Sequence, residues 1–143
     1  VVDNNIKFTF GVGGFNKANS SSWILEEWRA PKTERSWGYY RVLHCPNKNV
    51  KLKELTVESG KQLSMQKHKE RNEFWFVSEG EATVYTINPN STDTELLGYY
   101  KQHESLYICE GQWHQLCNDT AHPLKLIEIQ YGNICIEQDI ERK

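Results

Sequence analysis

Residues 60–80 read GKQLSMQKHKERNEFWFVSEG, and the spacing inside that stretch decides the fold. Gly60 and Gly80 bracket it, and Gln66, His68 and Glu73 complete the pattern G-x5-Q-x-H-x4-E-x6-G. Side chains alternate across a strand, so Ser64, Gln66 and His68 share one face. Glu73 and Trp75 share a face on the next strand. If both faces point into a barrel, Gln66, His68 and Glu73 meet. A second stretch, Gly111-Gln112-Trp113-His114 followed by Asn118, delivers His114 from a later strand just after a tight turn. An amide oxygen, two imidazoles and a carboxylate suit zinc or a similar divalent ion, with positions left for water or substrate.

Working outward, strand patterns dominate from residue 35. Strands are predicted at Trp37–Leu43, Val50–Val57, Leu63–His68, Phe74–Val77, Ala82–Ile87, Leu96–Tyr100, Leu106–Cys109, His114–Cys117 and Leu124–Tyr131. In the second of these, Val50, Leu52, Leu55 and Val57 are the apolar positions. Turn chemistry separates the strands at Glu58-Ser59-Gly60, Ser78-Glu79-Gly80, Asn88-Pro89-Asn90-Ser91, Glu110-Gly111 and Asn118-Asp119. Many short strands at close spacing indicate an all-β sandwich or barrel, a jelly roll. The first 34 residues differ. Gly11-Val12-Gly13-Gly14 lacks the G-K-[ST] ending and the strand–helix context of a phosphate loop. Ser20-Ser21-Ser22 would cap a short helix from Trp23 to Ala30. Residues 1–34 are expected to form an arm that packs on the barrel, with residues 35–143 as the barrel domain.

Composition bounds the function. A chain of 143 residues favours one domain. The formal net charge is −2, so no basic excess points to nucleic acid or an anionic membrane. An anionic small substrate would have to be met by a few local Arg or Lys. No apolar run approaches the ~18 residues of a transmembrane helix, and no signal peptide is visible, so a cytoplasmic location is expected. Cys45, Cys109, Cys117 and Cys135 are scattered, which reads as four reduced thiols. Two sequons, at Asn90 and Asn118, stand without other signs of secretion.

The glycine and ligand spacings resemble the two cupin motifs, G-x5-H-x-H-x4-E-x6-G and G-x5-P-x-G-x2-H-x3-N. Gln66 stands at the first His position, and His103 and Cys109 stand at the Gly and Pro of the second motif. Longer blocks are more specific. Arg35-Ser36-Trp37-Gly38, Leu63-Ser64-Met65-Gln66-Lys67-His68, Arg71-Asn72-Glu73-Phe74-Trp75, Gly111-Gln112-Trp113-His114, Leu126-Ile127-Glu128-Ile129-Gln130-Tyr131-Gly132 and the tail Glu137-Gln138-Asp139-Ile140-Glu141-Arg142 resemble type II mannose-6-phosphate isomerases. The chain departs from that pattern at Ser36, across Lys67–Glu70 and at Phe74.

That resemblance implies a cupin double-stranded β-helix and a metal-dependent aldose–ketose isomerase acting on mannose 6-phosphate or a related sugar phosphate, with a divalent metal, zinc first among them, as cofactor. The metal ligands implied are Gln66, His68, Glu73 and His114. Arg71 and Arg142 are the catalytic candidates, each able to grip phosphate or steady a developing oxyanion. Ser64, Trp75 and Lys69 are the substrate-side candidates, although a regular strand turns Lys67 and Lys69 away from His68. The base stays open among His103, His122, Tyr39, Lys69 and a metal-bound hydroxide. Enzymes of this type are often fused to a mannose-1-phosphate guanylyltransferase. That portion is not in this sequence, so guanylyl transfer is not expected of it. Phe74 and Phe76 face away from the barrel interior and need cover, from the arm or from a second copy in a homodimer. Two other classes compete: a sugar-phosphate-binding or regulatory cupin without turnover, and an iron oxygenase using two His and one carboxylate.

Overall fold

In a computed structural model residues 30–143 are described, and the strands among these residues lie in the unit Lys32–Lys143. The expected helix from Trp23 and nearly all of the expected arm fall on residues 1–29, outside the described residues. Eleven strands follow in order: β1 (Lys32–Arg35), β2 (Gly38–Asn47), β3 (Val50–Val57), β4 (Gln66–Lys67), β5 (Arg71–Glu79), β6 (Ala82–Ile87), β7 (Thr94–Tyr100), β8 (Ser105–Ile108), β9 (Gln115–Cys117), β10 (Leu124–Gly132) and β11 (Glu141–Arg142). They form a six-stranded sheet in the order β1-β2-β3-β10-β5-β8, a three-stranded sheet β7-β6-β9 and a two-stranded pair β11-β4, with antiparallel pairing throughout. This is the expected all-β jelly-roll architecture.

The inner face of the large sheet is graded, and the register shows why. One cross-strand row runs Tyr40–Leu55–Leu126–Val77 and is wholly apolar. These four join Val57, Val84, Leu116 and Leu124 in the buried core. The next row runs Lys53–Glu128–Trp75–Leu106, and the one beyond it Lys51–Gln130–Glu73–Ile108. Strand alternation keeps all three rows on the same face. The barrel therefore has an oily end that supplies hydrophobic stabilisation and a polar end that holds a site. Lys53 corrects the simple reading of Val50–Val57. It is buried because it shares strand parity with Leu55 and Val57, while Val50 and Leu52 sit on the other face.

Two turns show what the motif glycines do. Gly111 has φ +76°, a backbone conformation that L side chains rarely adopt, so the turn before His114 favours glycine on backbone grounds alone. Gly80 has φ +87°, and a Cβ there would lie 2.6 Å from the Pro123 carbonyl oxygen. His103 stands at the motif's other glycine position and itself takes φ 74°. Its ring stacks on Phe76 at 5.9 Å between centroids, and Phe74 packs against Tyr107 at 5.0 Å.

Strand pairing trims the predicted Leu63–His68 strand to Gln66–Lys67, where partners exist on both sides. The four cysteines are free, Cys117 and Cys135 buried and Cys45 and Cys109 exposed. Asn118 is a structural pin. It is fully buried, donates to the Val57 and His122 carbonyls at 2.9 and 2.8 Å, and accepts from the Thr120 N–H and hydroxyl at 3.0 and 2.7 Å. Removing such a buried hub strands several polar groups. Asn118→Ala is expected to cost about 2–4 kcal/mol in urea unfolding. A loss under about 0.5 kcal/mol, the range of a surface substitution, contradicts this role.

Candidate metal centre

The site grows from Glu73, which is 1% exposed on the inner face of β5. A carboxylate buried so deeply needs donors or opposite charge. Strand alternation supplies both from the same face: Arg71 Nε donates to Glu73 Oε2 at 3.0 Å, and Trp75 Nε1 donates to Oε1 at 2.9 Å. Two buried imidazoles converge on the same carboxylate. His68 Nε2 is 3.2 Å from Oε2, and His114 Nε2 is 3.8 Å from Oε1.

The protonation of both rings follows from their other nitrogens. His68 Nδ1 lies 2.6 Å from the Asp139 carbonyl oxygen, and His114 Nδ1 lies 2.9 Å from the Gln112 carbonyl oxygen. A carbonyl only accepts, so each Nδ1 carries a proton and donates it. Each Nε2 then keeps its lone pair. Arg71 Nη2 agrees: it stands 3.2 Å from His68 Nε2, and a guanidinium can only donate. Burial, and next the Arg71 charge, press His68 down to about 4, while burial also lowers His114. Both imidazoles are neutral at pH 7, the form in which imidazole ligates a metal.

His68, Glu73 and His114 present ligand atoms that all lie within 4.8 Å of one another. Donors on a tetrahedral ion with ~2.0–2.1 Å bonds stand roughly 3.4 Å apart. The separations of 3.2 and 3.8 Å bracket that spacing, so this donor set fits a divalent cation. Gln66 joins through the backbone. It exchanges two hydrogen bonds with His114, both at 2.9 Å, which sets the two side chains on one face. Its amide nitrogen donates to the Ser64 carbonyl at 3.4 Å, and an amide ligates a cation through its other end, the oxygen.

A cavity of about 110 Å³ opens over this cluster. Gln66, His68, Glu73, His114, Arg71, Arg142, Ser64 and Trp75 all line it. Lys69 does not. It is exposed, and its backbone N–H donates to Asp139 Oδ1 at 3.1 Å. Neither His103, His122 nor Tyr39 lines the cavity, so no side chain weighed as base from the sequence is beside the cluster. Four polar lining residues, Lys53, Glu128, Gln130 and Glu137, were given no site role from the sequence. Parity could have found three of them, because Lys53 alternates with Leu55, and Glu128 and Gln130 alternate with Leu126. Glu128 accepts from Trp75 Nε1 at 3.3 Å and from Gln130 Nε2 at 3.0 Å. Burial, then the neighbouring Glu73, push its carboxyl up to about 7. Gln130 Oε1 is buried and has no donor among the described residues.

The tail after β10 straps these groups in place. Asp139 caps the Lys69 and Glu70 N–H groups through its carboxylate, at 3.1 and 2.8 Å, while its carbonyl orients His68. The Ile136 carbonyl accepts from Arg71 Nη1 at 3.0 Å. Arg71 thus meets protein groups through all three nitrogens, and a cation on His68 Nε2 would take the lone pair that Nη2 faces. Strand β11 pairs with β4, and Arg142 Nε donates to Ser64 Oγ at 3.2 Å. Asp139→Ala removes the two caps that hold the carbonyl against His68. Its affinity for cobalt(II), titrated by visible absorption, is expected to fall about tenfold, the range for a lost partner of a ligating imidazole. An unchanged affinity would show that His68 is oriented without the strap.

Known proteins resemble this chain in sequence and in fold. The family described as mannose-6-phosphate isomerase C-terminal matches residues 26–143. Mannose-1-phosphate guanylyltransferase ManC of Salmonella typhimurium LT2 is 39% identical over 108 residues, which cover 76% of this chain and 21% of that protein. Alginate biosynthesis protein AlgA of Pseudomonas aeruginosa is 35% identical over 108 residues, with the same coverage. The chain thus spans about a fifth of the length of these curated relatives. Among solved structures, the capsular polysaccharide assembling protein CapF of Staphylococcus aureus aligns with TM-score 0.68 at 15% identity, covering 79% of this chain and 34% of that one. Oxalate decarboxylase of Lactobacillus farciminis aligns with TM-score 0.67 at 13% identity, covering 81% and 34%. Those two likenesses show the cupin jelly-roll fold, and the family match shows that this chain belongs to the mannose-6-phosphate isomerase C-terminal family.

Proposed function

We propose that the chain is a zinc-dependent sugar-phosphate isomerase that interconverts mannose 6-phosphate and fructose 6-phosphate or a close relative. The observation that carries this reading is the buried His68–Glu73–His114 cluster, with both imidazoles held in the ligating tautomer, in a chain of this family. The reaction moves a proton between two adjacent carbons of a sugar. It needs a polarised carbonyl, a group that takes and returns the proton, and a hold on the phosphate. A zinc ion bound by Gln66, His68, Glu73 and His114 would supply the Lewis acid.

The remaining roles fall to the cavity side chains. Of the three carboxylates that line it, Glu73 is in the ligand cluster and Glu137 is paired with Lys53. Glu128 is the carboxylate placed to accept the proton and give it back. The orphan Gln130 oxygen is an acceptor for a sugar hydroxyl. Trp75 forms a wall, its ring edge-on to His114 at 5.5 Å between centroids. Arg71 is a positioning residue, because its donors hold Glu73 and the strap. Arg142 and Ser64, hydrogen-bonded to each other, line the side of Gln66 away from His114 and are the substrate-contacting pair.

Sugar-phosphate binding without turnover is a second reading. The departures from the family pattern across Lys67–Glu70 and at Phe74, which flank the ligand positions, favour it. One experiment separates the two. Zinc-loaded protein is given mannose 6-phosphate with a coupled readout for fructose 6-phosphate. Turnover is expected, and Glu128→Gln should lower kcat by about 100-fold or more with zinc content unchanged. Saturable binding with no turnover in the zinc-loaded protein would support the second reading.

A further inference from the structure

Lys53 lines the cavity and takes no part in the metal cluster. It is 5% exposed on the inner face of β3, an unusual place for an ammonium. Its Nζ lies 3.8 Å above the Tyr40 ring, which attracts a cation through its negative face. That contact alone does not neutralise a buried charge. Glu137 does so: its Oε2 is 3.2 Å from Lys53 Nζ and 3.5 Å from Lys51 Nζ. Burial works against the Glu137 charge, yet the Lys53 and then the Lys51 ammoniums outweigh it and hold its carboxyl below the usual range.

The two sides of this contact are built differently. The Lys53 and Lys51 side chains are 7% and 13% exposed on a central strand of the large sheet, whereas the Glu137 side chain is 47% exposed on the tail segment between β10 and β11. The lysines are fixed by the sheet, and the carboxylate is the partner that can leave. The cavity as it stands is also too small for a whole sugar phosphate, and Glu137 lines it.

We propose that Lys53 and Lys51 form an anion subsite for the phosphate of the substrate, and that Glu137 is a built-in carboxylate that the phosphate displaces. An arriving dianion carries more charge than the carboxylate and offers more acceptor oxygens to the two ammoniums. Outward movement of Glu137 also enlarges the cavity beside Glu128. The exchange keeps Lys53 paired at every stage, which a buried ammonium requires. The identity of the anion rests on the sugar-phosphate reading above, but the subsite itself is read without turnover.

Inorganic phosphate is the probe, titrated calorimetrically into the metal-loaded full chain. Glu137→Gln removes the competing charge and should tighten phosphate about tenfold, while Lys53→Met should weaken it about tenfold or more. Glu141→Gln removes the same charge from the same tail, where it faces Lys67 at 3.9 Å, and should change phosphate affinity less than twofold. Melting curves confirm that each variant is folded. Phosphate binding that ignores Glu137→Gln, or that survives Lys53→Met, overturns the proposal. So does an equal gain in Glu141→Gln, because general charge would then account for it. A protein that binds phosphate in this pattern and does not isomerise mannose 6-phosphate sinks the reaction and leaves the subsite standing.

Discussion

Burial of the Glu73 carboxylate is the constraint on which the rest of this structure depends. A charge at 1% exposure is tolerable only if neighbours compensate it, and every neighbour here is set by strand geometry. Arg71 and Trp75 reach it because they flank it by two residues on β5. His68 and His114 reach it from the connection before β5 and from the turn before β9. Arg71 then needs the Ile136 carbonyl, and His68 needs the Asp139 carbonyl, so the tail is drawn over the barrel mouth. One buried acid thus organises two sheets and the segment that follows them.

The same chain of needs explains the division of the barrel. Apolar rows at one end supply stabilisation through burial, at about 25 cal/mol per Å² of apolar surface. The polar rows at the other end cost stability when viewed alone. They are held together by complementary pairs: Glu73 with Arg71, Lys53 with Glu137, and Glu128 with the Trp75 and Gln130 donors. A centre of this kind, prearranged by carbonyls and neighbouring strands, is what a bound cation requires.

Much of this was legible in the sequence because a strand shows its faces with a period of two. The spacing of Gln66, His68, Glu73 and His114 was readable, and so were β3, β5, β6 and β10 in outline. Three things were hidden for physical reasons. The length of β4 depends on where His114 and Arg142 find partners, which propensity between Leu63 and His68 does not encode. Lys53, Glu128 and Gln130 share parity with buried leucines, so the pattern marks their face, but only the register shows that this end of the face lines a cavity. The tail from Ile136 to Asp139 acts largely through backbone carbonyls, and a carbonyl has no letter in the sequence.

We propose that His68, Glu73 and His114 together hold a single metal ion. The most direct measurement is a crystal structure of the zinc-loaded chain with anomalous diffraction collected on either side of the zinc edge. One strong peak is expected in contact with His68 Nε2, His114 Nε2 and the Glu73 carboxylate. A strong peak elsewhere in the chain, or none at this cluster at full zinc loading, would contradict it.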